Sequence, residues 1–185
     1  MALGSNDYSI FLGISNGKIV RQFKTPTENT KERVNKNGKV IHEEFYDYVE
    51  GLITDITTKE NEYGKFWVVT VDDDGTEYKL EFNYSGGVAG AFLKALPNVN
   101  LAEPVRISPK QTIDGDKKKT TVFLNQNGKA AKWFWTKENP GELPQMKKIK
   151  VKGVESWDDS EQLEYLENYV KTLLENRDQV PQEDF

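Results

Sequence analysis

The chain has 185 residues, 36% hydrophobic and 30% charged, with one histidine and no cysteine. That length suits one domain with appendages, no apolar run approaches the ~20 residues of a membrane span, and disulfide or thiolate chemistry is excluded. The net charge of −5 conceals an asymmetry: residues 154–185 hold ten acidic and two basic side chains, net −8, which leaves the body before them at +3.

The first residues, Met-Ala-Leu-Gly-Ser-Asn-Asp, place no basic segment ahead of an apolar core, so no secretory signal and a cytoplasmic setting are expected. Residues 8–23 read as a hairpin: Tyr8, Ile10, Leu12 and Ile14 alternate with smaller or polar residues, and Asn16-Gly17 is a turn tolerant of positive φ. Asn37-Gly38 repeats the turn signal, after a polar stretch with Pro26 that reads as a loop or the start of a second arm. Residues 46–59 read as one long strand bent at Gly51. Val49 and Ile53 fit one face while Leu52 and Ile56 imply the opposite phase, a conflict that a bulge resolves.

Residues 65–71 and 77–82 form two further strands around Asp74-Gly75. If those two residues are the loop, Val71 faces Tyr78, Val69 faces Leu80 and Trp67 faces Phe82 on the core side, with Phe66, Val68, Thr70, Lys79 and Glu81 on the other. A short helix follows at residues 86–96, with Ser85 as expected N-cap and Pro97 beyond its end. Residues 103–113 return to strand with Arg106, Ser108 and Lys110 on one face, Asp114-Gly115-Asp116 turns, and residues 120–125 follow. Asn127-Gly128 turns again into Lys132-Trp133-Phe134-Trp135. Residues 138–144 read as linker, and residues 146–152 as a strand with Lys148, Lys150 and Lys152 on one side. Asp158 opens a helix with Glu161 as capping-box partner and Leu163, Leu166, Tyr169, Val170, Leu173 and Leu174 as its apolar stripe.

Little in this set does chemistry. A lone His42 makes no zinc site, no nucleophile has a base and an orienter beside it, Asp72 to Asp74 lack EF-hand spacing, and Gly86-Gly87-x-x-Gly90 lacks the Lys-Ser/Thr of a P-loop. The expectation is a non-enzyme with no metal and no cofactor. Aromatic and basic residues do interleave on the expected strands. Tyr46, Tyr48, Phe66, Trp67, Phe123, Trp133 and Trp135 offer faces for stacking bases, and Lys59, Lys65, Lys79, Arg106, Lys110, Lys117, Lys118, Lys119 and Lys132 offer charge for phosphates. For each ring, core packing competes with stacking, because strand aromatics commonly pack.

The order strand, strand, strand, helix, strand, strand resembles the OB-fold, a five-stranded Greek-key barrel with a helix between strands three and four. The likeness implies oligonucleotide binding by the face of strands two and three and by the loops at residues 58–64 and 114–119. The ending Glu183-Asp184-Phe185 resembles the acidic, Phe-terminated tails of phage and bacterial single-stranded DNA-binding proteins. The conjunction resembles a phage-type OB-fold single-stranded DNA-binding protein. The barrel likeness covers residues 44–136; outside it the expected parts are an N-terminal β-hairpin extension over residues 1–43, a linker, basic strand and C-terminal helix over 137–178, and an acidic tail over 179–185. The conjunction implies single-stranded DNA as ligand, with RNA served by the same stacking, and replication or recombination proteins as partners of Glu183, Asp184 and Phe185, in a host cytoplasm if phage-encoded. The alternative is an OB-like protein-interaction or structural module whose aromatics are core and whose amphipathic helix is an oligomer contact.

Overall fold

The computed structural model describes residues 8–178. Tail residues Glu183, Asp184 and Phe185 lie outside them. The fold is mainly β. Ten strands form one mixed sheet: β1 (Ile10–Ser15), β2 (Lys18–Phe23), β3 (Lys31–Val34), β4 (Val40–Tyr46), β5 (Val49–Asn61), β6 (Gly64–Asp73), β7 (Thr76–Asn83), β8 (Val105–Asp114), β9 (Lys117–Gln126) and β10 (Lys129–Ala130). Their spatial order is β10-β9-β8-β5-β6-β7-β1-β2-β4-β3. Helix α1 (Gly87–Ala95) lies between β7 and β8 in the chain, and a separate hairpin, β11 (Lys147–Val151) with β12 (Val154–Asp158), precedes helix α2 (Ser160–Asp178).

The β6–β7 hairpin has the register the sequence implies, with Trp67 opposite Phe82, Val69 opposite Leu80 and Val71 opposite Tyr78. Strand β5 is the bent strand, and it is shared: Val49 to Gly51 pair with β8, whereas Leu52 to Asn61 pair with β6. The bulge lies between Ile53 and Asp55, not at Gly51. It switches the buried phase, so that Val49, Ile53 and Ile56 all enter the core while Leu52 stays outside. Gly51 has another reason to be glycine: a Cβ there would sit 2.4 Å from the Asp72 carbonyl oxygen and 2.9 Å from Val71 Cγ1.

No pairing closes the sheet into a barrel among the described residues. The outer edge of β7 is taken by β1, which runs parallel to it with Ile10 opposite Tyr78 and Leu12 opposite Leu80. The polar stretch ahead of Asn37-Gly38 forms the β3–β4 hairpin.

Three local expectations change. Ser85 does not cap α1, whose N-cap is Gly86 at φ 102 with no side-chain cap. Residues 132–135 are not a strand, since β10 ends at Ala130. The basic strand at 147–151 is one arm of a hairpin, and Asp158 ends its second arm while accepting a hydrogen bond from the Ser160 N–H at 3.0 Å.

Helix α2 is part of the core. Leu163, Leu166 and Val170 are buried, and Trp135 meets Tyr165 and Tyr169 edge to face at 5.9 and 5.1 Å between ring centroids. The helix end is fastened where β5 breaks its ladder: Arg177 Nη1 and Nη2 donate to the Ile53 and Thr54 carbonyls at 3.3 and 2.9 Å. A bulge interrupts the ladder, and these bonds tie the helix end to the backbone beside it. No helix of the described residues is long and apolar enough to cross a membrane.

Candidate nucleic-acid interface

The expected site residues divide among four places. The first is the interior. Trp67 and Trp135 are 1% and 4% exposed, so neither has a face for a base, which corrects their assignment to the binding surface. Trp67 stacks on Tyr84 at 5.5 Å and donates its Nε1–H to the Tyr84 carbonyl at 3.0 Å. Lys65, at the same seam, reaches Glu167 of α2 at 2.7 Å and lies 4.0 Å over the Tyr84 ring. Burial works to raise the Glu167 carboxyl, but hydrogen bonds from Lys65 and Tyr84 overcome it and hold the group below the usual carboxylate range. Burial, then Glu167, push the Tyr84 hydroxyl up. This cluster is a fastening for α2.

The second place is the outer face of β6–β7, where Phe66 is half-buried opposite Asn83 and Lys79 opposite Thr70. Strand β1 extends this face with Phe11, which is 59% exposed and pairs with Lys79. Sequence reasoning missed Phe11, yet a signal was there: a large ring sits on the otherwise polar phase of a strand whose alternate residues are apolar. A cleft of about 1070 Å³, lined by Phe11, Phe66, Lys59, Arg21, Gly86 and Thr120, opens beside it. Lys59 in this cleft pairs with Glu81 at 2.6 Å, and Lys79 on the same face of the sheet pairs with Glu77 at 3.5 Å.

The third place is the outer face of β8–β9 and the start of β5. Val105, Ile107, Val122 and Leu124 point inward, so their neighbours Arg106, Ser108, Phe123 and Asn125 point out, with Arg106 opposite Asn125 and Ser108 opposite Phe123. Phe123 is 43% and Tyr48 45% exposed, and the Arg106 guanidinium lies 4.0 Å over the Tyr48 ring while its Nε donates to Glu50 at 2.7 Å. Lys110, Lys117 and Lys119 continue this outward phase toward the β8–β9 turn. Together with Lys118 they are exposed and form no salt bridge among the described residues. A cleft of about 920 Å³ runs along this face between Tyr48, Arg106 and Lys110 on one side and the β1–β2 turn on the other. That turn is held closely: Gly17 has φ +73, and a Cβ on it would lie 2.5 Å from the Gln111 backbone nitrogen.

The remaining residues stand apart. Trp133 is exposed with Lys94 5.4 Å over its ring, beside Lys132, whose carbonyl accepts from Asn98 Nδ2 at 2.8 Å. Tyr46 lies on β4, opposite Ile19 of β2, with its hydroxyl donating to Glu44. Among the described residues, no group of three or more His, Cys, Asp or Glu side chains is placed to hold a metal ion.

The β8–β9 face combines two exposed rings with several cations that form no salt bridge among the described residues and are placed to neutralise an external anion. Comparison with protein-family models, curated proteins and solved structures returns no match.

Proposed function

We propose that the chain binds single-stranded DNA without sequence preference, in replication or recombination. The observation that carries the reading is the shared outward face of Tyr48 and Phe123 with Lys110, Lys117 and Lys119, which form no salt bridge among the described residues. Every base has a π-face, so stacking there is tolerant of sequence and contributes about 1–3 kcal/mol per base. Free lysines along the same strands follow the phosphates and release counterions. RNA meets the same face by the same stacking.

The neighbour order β9-β8-β5-β6-β7, with α1 between the third and fourth of these strands in the chain, supports reading them as a partly open OB-type barrel. In that reading the N-terminal hairpin occupies the edge of β7 that a closed barrel pairs with its fifth strand.

Anisotropy of a labelled oligo-dT tests the proposal. The expected result is binding that weakens as salt rises, with Tyr48→Ala and Phe123→Ala each weakening it by about 5- to 150-fold. Absence of binding at low salt, or binding indifferent to salt and to both substitutions, would overturn it.

The acidic tail belongs to the same proposal. Its charge competes with DNA for the lysines, and the Phe185 ring beside the Glu183 and Asp184 carboxylates suits a basic-rimmed pocket on a replication or recombination protein. A chain ending at Asp178 is therefore expected to bind oligo-dT more tightly at low salt. An affinity equal to that of the full chain would remove the tail's competing role.

A further inference from the structure

Hairpin β11–β12 has no counterpart in the sheet. It pairs only with itself, and every residue from Lys147 to Trp157 is exposed. An isolated two-stranded ribbon is marginal in water, so its foot matters. Lys147 pairs with Glu161 of α2, Asp158 accepts from the Ser160 N–H, and Gln162 Nε2 donates to the Pro144 carbonyl at 2.9 Å. The turn at Lys152-Gly153, φ 49 and 81, is the left-handed pair of a tight two-residue hairpin. The result is an arm with a fixed base and an uncovered body.

Its two faces differ. One carries Ile149, Val151 and Val154. The other carries Lys148 opposite Trp157 and Lys150 opposite Glu155, with Lys152 at the turn. Trp157 is 61% exposed, and Lys148 Nζ lies 5.6 Å over its ring and 3.2 Å from Glu155. Lys150 and Lys152 form no salt bridge among the described residues. A large ring held out of the core therefore sits beside two cations that form no salt bridge, on a hairpin whose residues 147–158 carry four lysines against Glu155 and Asp158.

We infer that the Lys148, Lys150 and Trp157 face of this hairpin is a second contact for single-stranded nucleic acid, one base stacking on Trp157 and the adjoining phosphates meeting Lys150 and Lys152. This rests on the reading of the chain as a single-strand binder and lengthens its footprint beyond the β8–β9 face. Charge decides the occupant. A partner protein docking on the apolar face would leave the lysines and the tryptophan without a function, whereas a polyanion uses all three.

The test titrates an oligo-dT of about 30 nucleotides, long enough to pass beyond one OB-sized footprint, against the full chain, Trp157→Ala, and Lys150→Ala with Lys152→Ala, across a salt series. Trp157→Ala is expected to weaken binding by about 5- to 150-fold, and the double lysine variant to reduce the magnitude of the salt slope by about 1.4. All these side chains are exposed, so equal melting temperatures are the control for folding. If the full chain binds with salt dependence and both variants match it, the second contact is overturned and the β8–β9 proposal stands. If the full chain binds no oligo, both fall. If the variants instead change the mass in light scattering with affinity unchanged, the hairpin is a contact between copies and the inference is wrong.

Discussion

Trp135→Ala is expected to lower the stability of the fold by about 3–5 kcal/mol, the range for emptying a large aromatic site in a core. For a chain of this length that corresponds to a fall in melting temperature of about 6–20 °C. The ring is 4% exposed and is the knob into which Tyr165 and Tyr169 of α2 set their edges, with Phe134 against it at 5.1 Å. Removing it takes away the burial of an indole and three edge-to-face contacts together, and α2 is the element that loosens. Because Arg177 at the end of that helix holds the carbonyls of Ile53 and Thr54, the bulge in β5 loses its partners as well. Calorimetry or urea unfolding measures the effect, and hydrogen exchange over α2 locates it. The same substitution also separates two roles for a tryptophan. Per folded molecule, oligo-dT binding is expected to be unchanged, since the ring has no outward face. A melting temperature within a degree or two of the parent, with affinity reduced, would return Trp135 to the binding surface.

The division between rings that pack and rings that stay exposed is where the sequence was least legible. The Asp74-Gly75 turn, as a two-residue loop, sets the register of β6–β7 and with it the inward side, including the Trp67 and Phe82 pair. Three aromatics in succession at Trp133, Phe134 and Trp135 carry no such signal, and the segment is not a strand. Packing from α2, thirty residues further on, meets Trp135 rather than Trp133, and local sequence does not show this. Phe11 and Trp157 were missed for the opposite reason: each stands alone in a short strand, with no aromatic neighbour to draw notice. Closure failed to be legible because it depends on which edge reaches β7 first. Both β1 and β9 are plausible by pattern, and local sequence says nothing about the competition that the N-terminal hairpin wins.

Gly51 needs its missing side chain although the bulge lies elsewhere, between Ile53 and Asp55, and a pair of glycine substitutions separates conformation from space. A bulge glycine is needed for its φ. Gly51 is instead needed for the space its missing Cβ leaves, at the residue where β5 passes from the β8 ladder to the β6 ladder with the Asp72 carbonyl 2.4 Å from where a Cβ would lie. The clash is with backbone and with a fully buried valine, so neither side yields without moving a strand. Gly51→Ala is therefore expected to cost about 1–3 kcal/mol, the range for overpacking a close-packed interior. Gly13→Ala in β1, where a Cβ meets nothing within 4 Å and φ is not positive, is expected to be neutral or slightly stabilising. Equal melting temperatures for the two variants would show that β5 and β6 part there at little cost. The consequence extends to the proposed function. Glu50, beside Gly51, pairs with Arg106, and Arg106 lies over Tyr48, so whatever displaces β5 from β6 tilts the Tyr48 ring relative to Phe123. Gly51→Ala is then expected to weaken oligo-dT binding even where the protein remains folded, while Gly13→Ala leaves it intact.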